Sequence, residues 1–400
     1  MKILAVVITS PEYSVSGAVT AAINLSKFSS ALCDIELAIM SNNNLEEKAE
    51  NLVIKNFKCT NFLPKFLRNF SSQITNSFWR TDIDLYIEKS KPDIVHFHNP
   101  VPPLALWKLA KLCLKKKIPY VISSHGFVEM FDYKNAFNIN FIKSLFLKLF
   151  VLRPFYKTIK NASAIFLLSP PEKEVLMKNL TYKGLIEFIP NGYDNFYLKK
   201  PSLEIQKTVR KKFKLNNDLT KFLFLGNHTH NKGIDIILNS LKYIQKDCQV
   251  IIGGKIRSIE EHASLLKKTK LLANESRFIF TDFLTKEEIL SLLFISDCFI
   301  FPSRADTFPL VILEAMAAEV PVISTSIGGI PYQVGENCGV LIKPNSPEEL
   351  SIAMSRLINK KDELKEFGKN ARKRVLSNFS WENSAKTAID SYNKILAMKI

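Results

Sequence analysis

Nowhere in this 400-residue chain does an apolar run reach the ~18 to 20 residues needed to span a bilayer. Cysteine is sparse too. Cys33, Cys59, Cys113, Cys248, Cys298 and Cys338 stand far apart with no C-x-x-C among them, which signals neither a zinc site nor a disulfide framework. They read as reduced core thiols. Thirteen Gly and 18 Pro are too few for a collagen-like or low-complexity chain. At the N-terminus the apolar run covers only Ile3 to Ile8 and no small-residue cleavage site follows. A first buried strand is therefore expected there rather than a signal peptide. The expected location is the cytoplasm, free or peripheral on the cytoplasmic face of the inner membrane.

Acidic residues are also in short supply, 38 against 55 Lys and Arg, for a formal charge of +17. Between Ile94 and Val128 there are Lys108, Lys111, Lys115, Lys116 and Lys117 and no acid. The stretch from Tyr133 to Pro171 is likewise basic and acid-free. A third such stretch, Asn51 to Thr81, sets Lys55, Lys58, Lys65, Arg68 and Arg80 among Phe57, Phe62, Phe66, Phe70, Phe78 and Trp79. Basic and aromatic residues together fit an anionic membrane surface, at about 1 kcal/mol per well-placed cation. Solvated basic helix faces are the competing reading. Nucleic acid is not expected, because the basic residues are spread through both halves and carry no nucleic-acid motif.

With 46% hydrophobic and 23% charged residues the chain is that of a globular protein, long enough for two or three domains. Short runs rich in Ile, Val, Leu and Phe recur at 2–8, 34–40, 93–98, 119–124, 164–169 and 185–190. Between them lie stretches such as GAVTAAINLSKFSSAL, with apolar residues at three- and four-residue spacing. This is the βαβ rhythm of a parallel sheet buried on both faces. The rhythm restarts at 221–226, 249–254, 277–281, 297–303 and 321–325 after a polar, aperiodic link beginning Pro190-Asn191-Gly192. Two doubly wound α/β domains are expected, at 1–192 and 193–379, with an amphipathic helix over 380–400 packing back on the first. Ligands of such sheets bind at the carboxyl ends of the strands.

Two loops there carry candidate chemistry. In FLFLGNHTHNKGIDIILNSL a buried strand ends at Gly226 and Lys232-Gly233 opens a helix, an arrangement that suits a phosphate or diphosphate. A surface lysine near a helix cap is the plainer reading. In FIFPSRADTFPLVILEAMAAEVPVISTSIGGIP a strand ends near Pro302 and a helix starts near Pro309. Asp306 and Glu314 are eight apart across that helix start. Glu314 lies in an apolar run and needs a polar partner, for which sugar hydroxyls are suited. Ser326-Ile327-Gly328-Gly329 makes a tight turn where backbone can approach a ligand.

These residues resemble the C-terminal domain of the group 1, retaining, GT-B fold nucleotide-sugar glycosyltransferases. The N-terminal half agrees through SVSGAV, PDIVHFHNP, PYVISSHG, SAIFLLSPPEKEVL and IPNGYDNF, and the closing helix begins FSW. The resemblance implies a GT-B architecture, two doubly wound Rossmann-like domains facing each other across a cleft that holds the nucleotide-sugar. By position, Lys232 would bind the diphosphate and Glu314 the ribose. Asp306 would contact the hydroxyls of the transferred sugar, and His125 of SSHG that sugar near C6. Gly17 lies in the loop that admits the diphosphate and acceptor, and amides around Phe308, Leu310 and Val311 would cradle the leaving group. Catalytic roles thus fall to His125, Asp306 and Lys232, with no protein nucleophile. No cofactor and no essential metal are implied.

Several positions depart from the family. Asp306 is one methylene shorter than the usual Glu, and Thr307 and Pro309 replace two glycines. Asn227 stands where a basic residue is common, which leaves His228, His230 or Arg304 to support Lys232. His96 and His98 share a face of their strand and read as structural. Asp82 and Asp84 mimic a metal-binding pair but fall in a helical pattern, so no metal site is read there. The segment NINFIKSLFLKLFVLRPFYKTIK is equally a basic interfacial helix or a core helix.

The implied activity is transfer of a hexose from a nucleoside-diphosphate donor to a growing glycan or a polyprenyl- or lipid-linked acceptor. The Lys-, Asn-, Ile- and Phe-rich composition suggests an AT-rich bacterial genome, hence lipopolysaccharide, O-antigen, capsule or exopolysaccharide synthesis. A non-catalytic nucleotide- or glycan-binding relative, a sugar-nucleotide epimerase, a phosphorylase and a tethering protein are the rival readings.

Overall fold

The computed structural model describes residues 1–10, 16–63, 78–99, 102–125, 131, 148–256, 259–271, 278–281 and 283–398. The chain forms two compact units, Met1–Gly192 with Trp381–Ile400, and Tyr193–Ser380.

In the first unit the elements run β1 (Lys2–Val7), α1 (Gly17–Ser29), β2 (Asp34–Ser41), β3 (Leu45–Ala49), β4 (Leu52–Asn61), β5 (Trp79–Thr81), α2 (Ile83–Ser90) and β6 (Ile94–His98). They continue with α3 (Pro103–Lys115), β7 (Tyr120–Ser123), α4 (Arg153–Lys160), β8 (Ala164–Leu167), α5 (Pro170–Asn179) and β9 (Leu185–Phe188). The sheet order is β3-β4-β2-β1-β6-β7-β8-β9, with β5 on β4. From β4 to β9 the strands pair in parallel, while β3 and β5 join β4 antiparallel. The central strands are buried along their length, which is why they read as unbroken apolar runs.

The second unit contains α6 (Leu203–Lys212), β10 (Thr220–Leu225), α7 (Ile234–Ser240), β11 (Cys248–Gly253), α8 (Ile259–Leu271), β12 (Phe278–Phe280), α9 (Lys286–Ile295) and β13 (Cys298–Phe301). Then follow α10 (Leu310–Ala317), β14 (Val322–Thr325), α11 (Ile330–Val334), β15 (Gly339–Ile342), α12 (Pro347–Asn359) and α13 (Lys361–Asn378). Its six strands run in the order β12-β11-β10-β13-β14-β15, all parallel. Phe222, Phe224, Phe299 and Phe301 fill its centre, each fully buried and each worth roughly 1.5 to 3 kcal/mol of apolar burial. Helix α9 begins with a reciprocal capping box between Thr285 and Glu288, worth about 1 kcal/mol. The last helix, α14 (Trp381–Ala397), belongs to the first unit.

In each sheet the first strand lies between strands reached in opposite directions, β1 between β2 and β6, and β10 between β11 and β13. These are topological switch points, where two neighbouring loops diverge and leave a crevice at the carboxyl ends of the strands.

The Asn51–Thr81 stretch, read as a basic aromatic surface, forms β4 and β5 where it is described, with residues 64–77 outside the described residues. Of the segment 138–160, only 148–160 is described. There α4 buries Pro154, Phe155, Thr158 and Ile159 as a core helix does, while Leu149 and Phe150 just before it are exposed. Asp84 of α2 pairs with Lys108. Among the described residues no helix is long and apolar enough to cross a membrane.

Candidate active site

At the switch point of the second unit, the loop after β10 and the loop after β13 are bound to each other. The amide of Arg304 donates to the Asn231 carbonyl (2.7 Å), and the Ser303 hydroxyl oxygen lies 2.9 Å from the same carbonyl. Gly233 sits at φ 73°, and a Cβ there would meet the Pro302 carbonyl oxygen at 2.0 Å, so only glycine lets the two loops approach this closely. Lys232 is thereby carried to Asp306. Its Nζ lies 2.7 Å from both carboxylate oxygens, with the Lys and Asp side chains 19% and 16% exposed. Ser303 Oγ donates to the same carboxylate at 2.6 Å, and the Phe301 ring lies beneath Nζ at 5.4 Å.

The expected helpers of Lys232 are otherwise occupied. Arg304 makes a two-pronged bond to Asp235 (2.8 Å each) and also reaches the His230 carbonyl and Asn345 (2.6 Å each). Burial alone would raise Asp235, but that guanidinium outweighs it and holds the carboxyl below its ordinary value. His228 is buried with Nδ1 3.1 Å from Nδ1 of His262, and desolvation pulls it down to about 4. His230 is exposed and Asn227 half-buried. Both strong bases of these loops are therefore paired, Lys232 with Asp306 and Arg304 with Asp235.

The next elements set the floor. Gly328, at φ 50°, has the Asp306 carbonyl oxygen 2.3 Å from where a Cβ would stand, and Gly329 N donates to Thr307 O at 2.7 Å. The turn after β14 thus braces the Asp306 loop with its backbone. Phe308 is buried edge-on against Phe379 at 5.8 Å, which fixes the start of α10. Pro309 stands just before that helix, and the amides of Leu310 and Val311 have no hydrogen-bond partner among the described residues. Glu314, half-buried on α10, is pushed up to about 7 by burial, with Asp194 adding to the rise and Lys286 opposing it. Lys286 is held 2.6 Å from Asp194 over the Phe196 ring.

The first unit gathers a different set at its strand ends. Gly17 opens α1 beside the Ser16 cap, and a Cβ there would meet open space. His125 follows β7, its ring stacked on His98 with centroids 6.5 Å apart, and burial pulls it down to about 4. The two residues before it are clamped. Ser123 Oγ is 2.8 Å from His96 Nε2, whose Nδ1 is 2.6 Å from Tyr392 Oη on α14. Ser124 bonds to Glu172 on α5, which also accepts from Leu168 N (3.1 Å) and Ser169 Oγ (3.0 Å). Burial raises Glu172 to about 7 despite these bonds and lowers His96 to about 3 and His98 well below its usual value. Gly126 lies outside the described residues.

Comparison with known proteins bears on what these loops serve. The family model for glycosyl transferases group 1 matches residues 205–374, and that for glycosyltransferase family 4 matches residues 15–195. The chain belongs to the group 1 glycosyltransferases. This glycosyltransferase is 29% identical over 390 residues to an uncharacterised glycosyltransferase of Methanocaldococcus jannaschii, covering 96% of each chain. It is 23% identical over 315 residues to the putative teichuronic acid biosynthesis glycosyltransferase TuaC of Bacillus subtilis, covering 78% of this chain and 72% of that one. Its GT-B fold is that of sucrose-phosphate synthase from Thermosynechococcus elongatus (TM-score 0.79, 18% identity, all of both chains). The same fold is seen in Anabaena HepE crystallised with UDP and glucose (TM-score 0.76, 18% identity, 98% and 99% of the two chains).

Of the residues anticipated in the glycosyltransferase from sequence, Lys232 and Asp306 are in direct contact, and Leu310 and Val311 begin the helix that follows. Ser303, Asp235, Glu172 and Tyr392 were not anticipated. Asp235 had a local signal, standing three residues after Lys232 in the first turn of the helix that Lys232-Gly233 opens. The other three act through bonds to residues distant in sequence or to a flanking loop, which no local pattern marks. Among the described residues no cluster of three or more His, Cys, Asp or Glu is placed to hold a metal ion.

Proposed function

We propose that this glycosyltransferase transfers a hexose, with retention of anomeric configuration, from a nucleoside-diphosphate donor to a growing glycan or lipid-linked acceptor of a bacterial surface polysaccharide. The observation that carries the reading is Lys232 held against Asp306 at the switch point of the second unit, in the loop that leads on to the unpaired amides of Leu310 and Val311. Charge develops on the leaving diphosphate in such a transfer, and a fixed ammonium with free helix-start amides stabilises it where it forms. Glu314 then meets the ribose diol, for which a carboxylate without a hydrogen-bond partner among the described residues is suited. HepE, solved with UDP-glucose, supports a nucleotide-sugar as the donor class. Asp306 and His125 serve the transferred sugar, and Gly17 leaves the first unit's loop open to the substrates. The proton of the acceptor hydroxyl passes to the leaving diphosphate, so neither a protein base nor a metal is invoked.

An anionic membrane on the cytoplasmic side is the further partner in this reading. Phe62 and Phe150 are 52% and 40% exposed, joined through Phe78, with Leu149 beside Phe150 in sequence and the Arg80 guanidinium over the Phe62 ring. Aromatic side chains among cations suit the boundary between headgroups and acyl chains.

The test is release of nucleoside diphosphate from UDP-, GDP-, dTDP- and ADP-sugars, with bacterial lipid extract as acceptor. Turnover is expected with one donor class and is expected to fall about 100-fold in Glu314→Ala, a loss of ~2.7 kcal/mol of transition-state binding. Silence across the panel from folded protein would sink the proposal and favour a non-catalytic relative.

A further inference from the structure

The cation placed for a diphosphate is already paired with a carboxylate of its own chain. Both oxygens of Asp306 lie 2.7 Å from Lys232 Nζ, so the carboxylate occupies the lysine much as a phosphate would, with two oxygens on one ammonium. The surroundings let that carboxylate leave without orphaning a neighbour. Ser303 Oγ, which donates to Asp306 at 2.6 Å, also has the Asn231 carbonyl at 2.9 Å and the Ala305 carbonyl at 3.3 Å. A hydroxyl has one proton to give, so either carbonyl can take over. The Asp306 backbone is meanwhile fixed by the Gly328 approach and the Gly329 amide to Thr307. Departure is a side-chain rotation and not a loop movement, and both partners are partly open to solvent.

We propose that Asp306 is a built-in stand-in for the donor's diphosphate. Its carboxylate holds Lys232 while the site is empty, yields the ammonium to the incoming phosphates, and is freed at that moment to accept hydrogen bonds from the transferred sugar. The inference rests on the assignment of Lys232 to the diphosphate made above. It gives Asp306 a role in selecting between nucleotides. With a nucleotide-sugar, the released carboxylate finds sugar hydroxyls. With a sugar-free nucleoside diphosphate it finds none, and it stays beside two phosphates as a competing anion, a cost that a half-buried site does not screen away. Asp306 therefore discriminates against the reaction's own nucleotide product and hastens its departure.

Calorimetric titration of the full-length protein tests this, with UDP, GDP, dTDP and ADP and with the corresponding intact sugar nucleotides, in the absence of acceptor. Asp306→Asn is expected to bind the sugar-free diphosphate roughly tenfold more tightly than wild type, a gain of ~1.4 kcal/mol. The same variant is expected to bind the sugar nucleotide no better than wild type, so the preference for the sugar-bearing form collapses. Asp306→Glu, which keeps the charge, is expected to stay within about twofold of wild type for the sugar-free diphosphate. Unchanged or weaker diphosphate binding by Asp306→Asn, with Lys232→Ala abolishing it, would overturn the proposal and leave Asp306 as an anchor for the lysine alone. Equal tightening in Asp306→Glu would also overturn it, because charge would then not be the cause. Failure of wild type to bind any nucleotide is a different result, and it would strike the assignment of the site itself.

Discussion

The carboxyl ends of the two sheets face the same topological situation and equip it differently. In the second unit the loops carry full charges in pairs, Lys232 with Asp306 and Arg304 with Asp235, at partly open positions. In the first unit the strand ends carry His96, His98 and His125, all held neutral by burial, with Ser123, Ser124 and a Glu172 whose carboxyl is raised to about 7. One end offers fixed charge to an anion. The other offers uncharged donors and acceptors, the kind of surface that hydroxyl-rich ligands match without a large desolvation cost. The difference shows that a shared strand order leaves the electrostatics of the crevice free, to be set by a few loop residues.

Several substitutions would break or sharpen this contrast. The largest effect is expected in Lys232→Ala, which removes the cation assigned to the diphosphate and should lower donor turnover about 1,000-fold, or ~4 kcal/mol. A drop under tenfold would mean that the charged end is not where the diphosphate sits. Next comes Glu172→Ala, which strands Ser124 Oγ, Ser169 Oγ and the Leu168 amide in a 2%-exposed position. It should lose about 3 kcal/mol of stability in denaturant melts, with Glu172→Gln losing less than about 1 because an acceptor remains.

Acidification separates the units by size of effect. In the folded protein His125 binds its proton only below about 4 and His96 only below about 3, and His98 is also well lowered. Unfolded histidines titrate near ~6.5, so below that pH the unfolded chain holds the extra protons and stability falls as pH drops. Glu172 opposes this: raised to about 7, it keeps its proton in the folded state between the unfolded value and 7. Three histidines against one glutamate leave the first unit losing about 2 kcal/mol per pH unit between roughly pH 6 and 5. In the second unit His228, lowered to about 4, and Glu314, raised to about 7, nearly cancel. Hydrogen exchange at pH 7 and pH 5 should therefore show amides of β6 and β7 deprotected well before those of β10 and β13. Equal loss in both sheets would refute the contrast. The smallest effect is expected from Arg304→Lys, which gives up one prong of the Asp235 bond at a cost of about 1 kcal/mol, readable as a small fall in Tm.

The buried parallel strands were legible because burial on both faces writes an unbroken apolar run. β3 was not: LEEKA is exposed along nearly its whole length and has no strand pattern of its own, so its pairing with β4 is what makes it a strand. The strand character of β4 was masked because Lys55 and Lys58 interrupt its apolar positions on a strand that is only part-buried. Among the candidate residues, Lys232, Asp306, Glu314 and His125 were singled out because they follow strand ends or fall in a recognisable spacing. The Lys232–Asp306 bond joins positions 74 apart and depends on Gly233 admitting the Pro302 carbonyl, which is a fact of packing rather than of pattern. Tyr392 reaches His96 from the far end of the chain, 296 positions away.

The most direct test of the central claim is hydrogen exchange of the full-length protein with and without the donor nucleotide-sugar. Slower exchange is predicted in residues 226–233 and 302–311, the two loops that bring Lys232 to Asp306 and lead into α10, and this protection should vanish in Lys232→Ala. Protection confined to other segments, or undiminished in the variant, would contradict the assignment of the charged switch point as the nucleotide site.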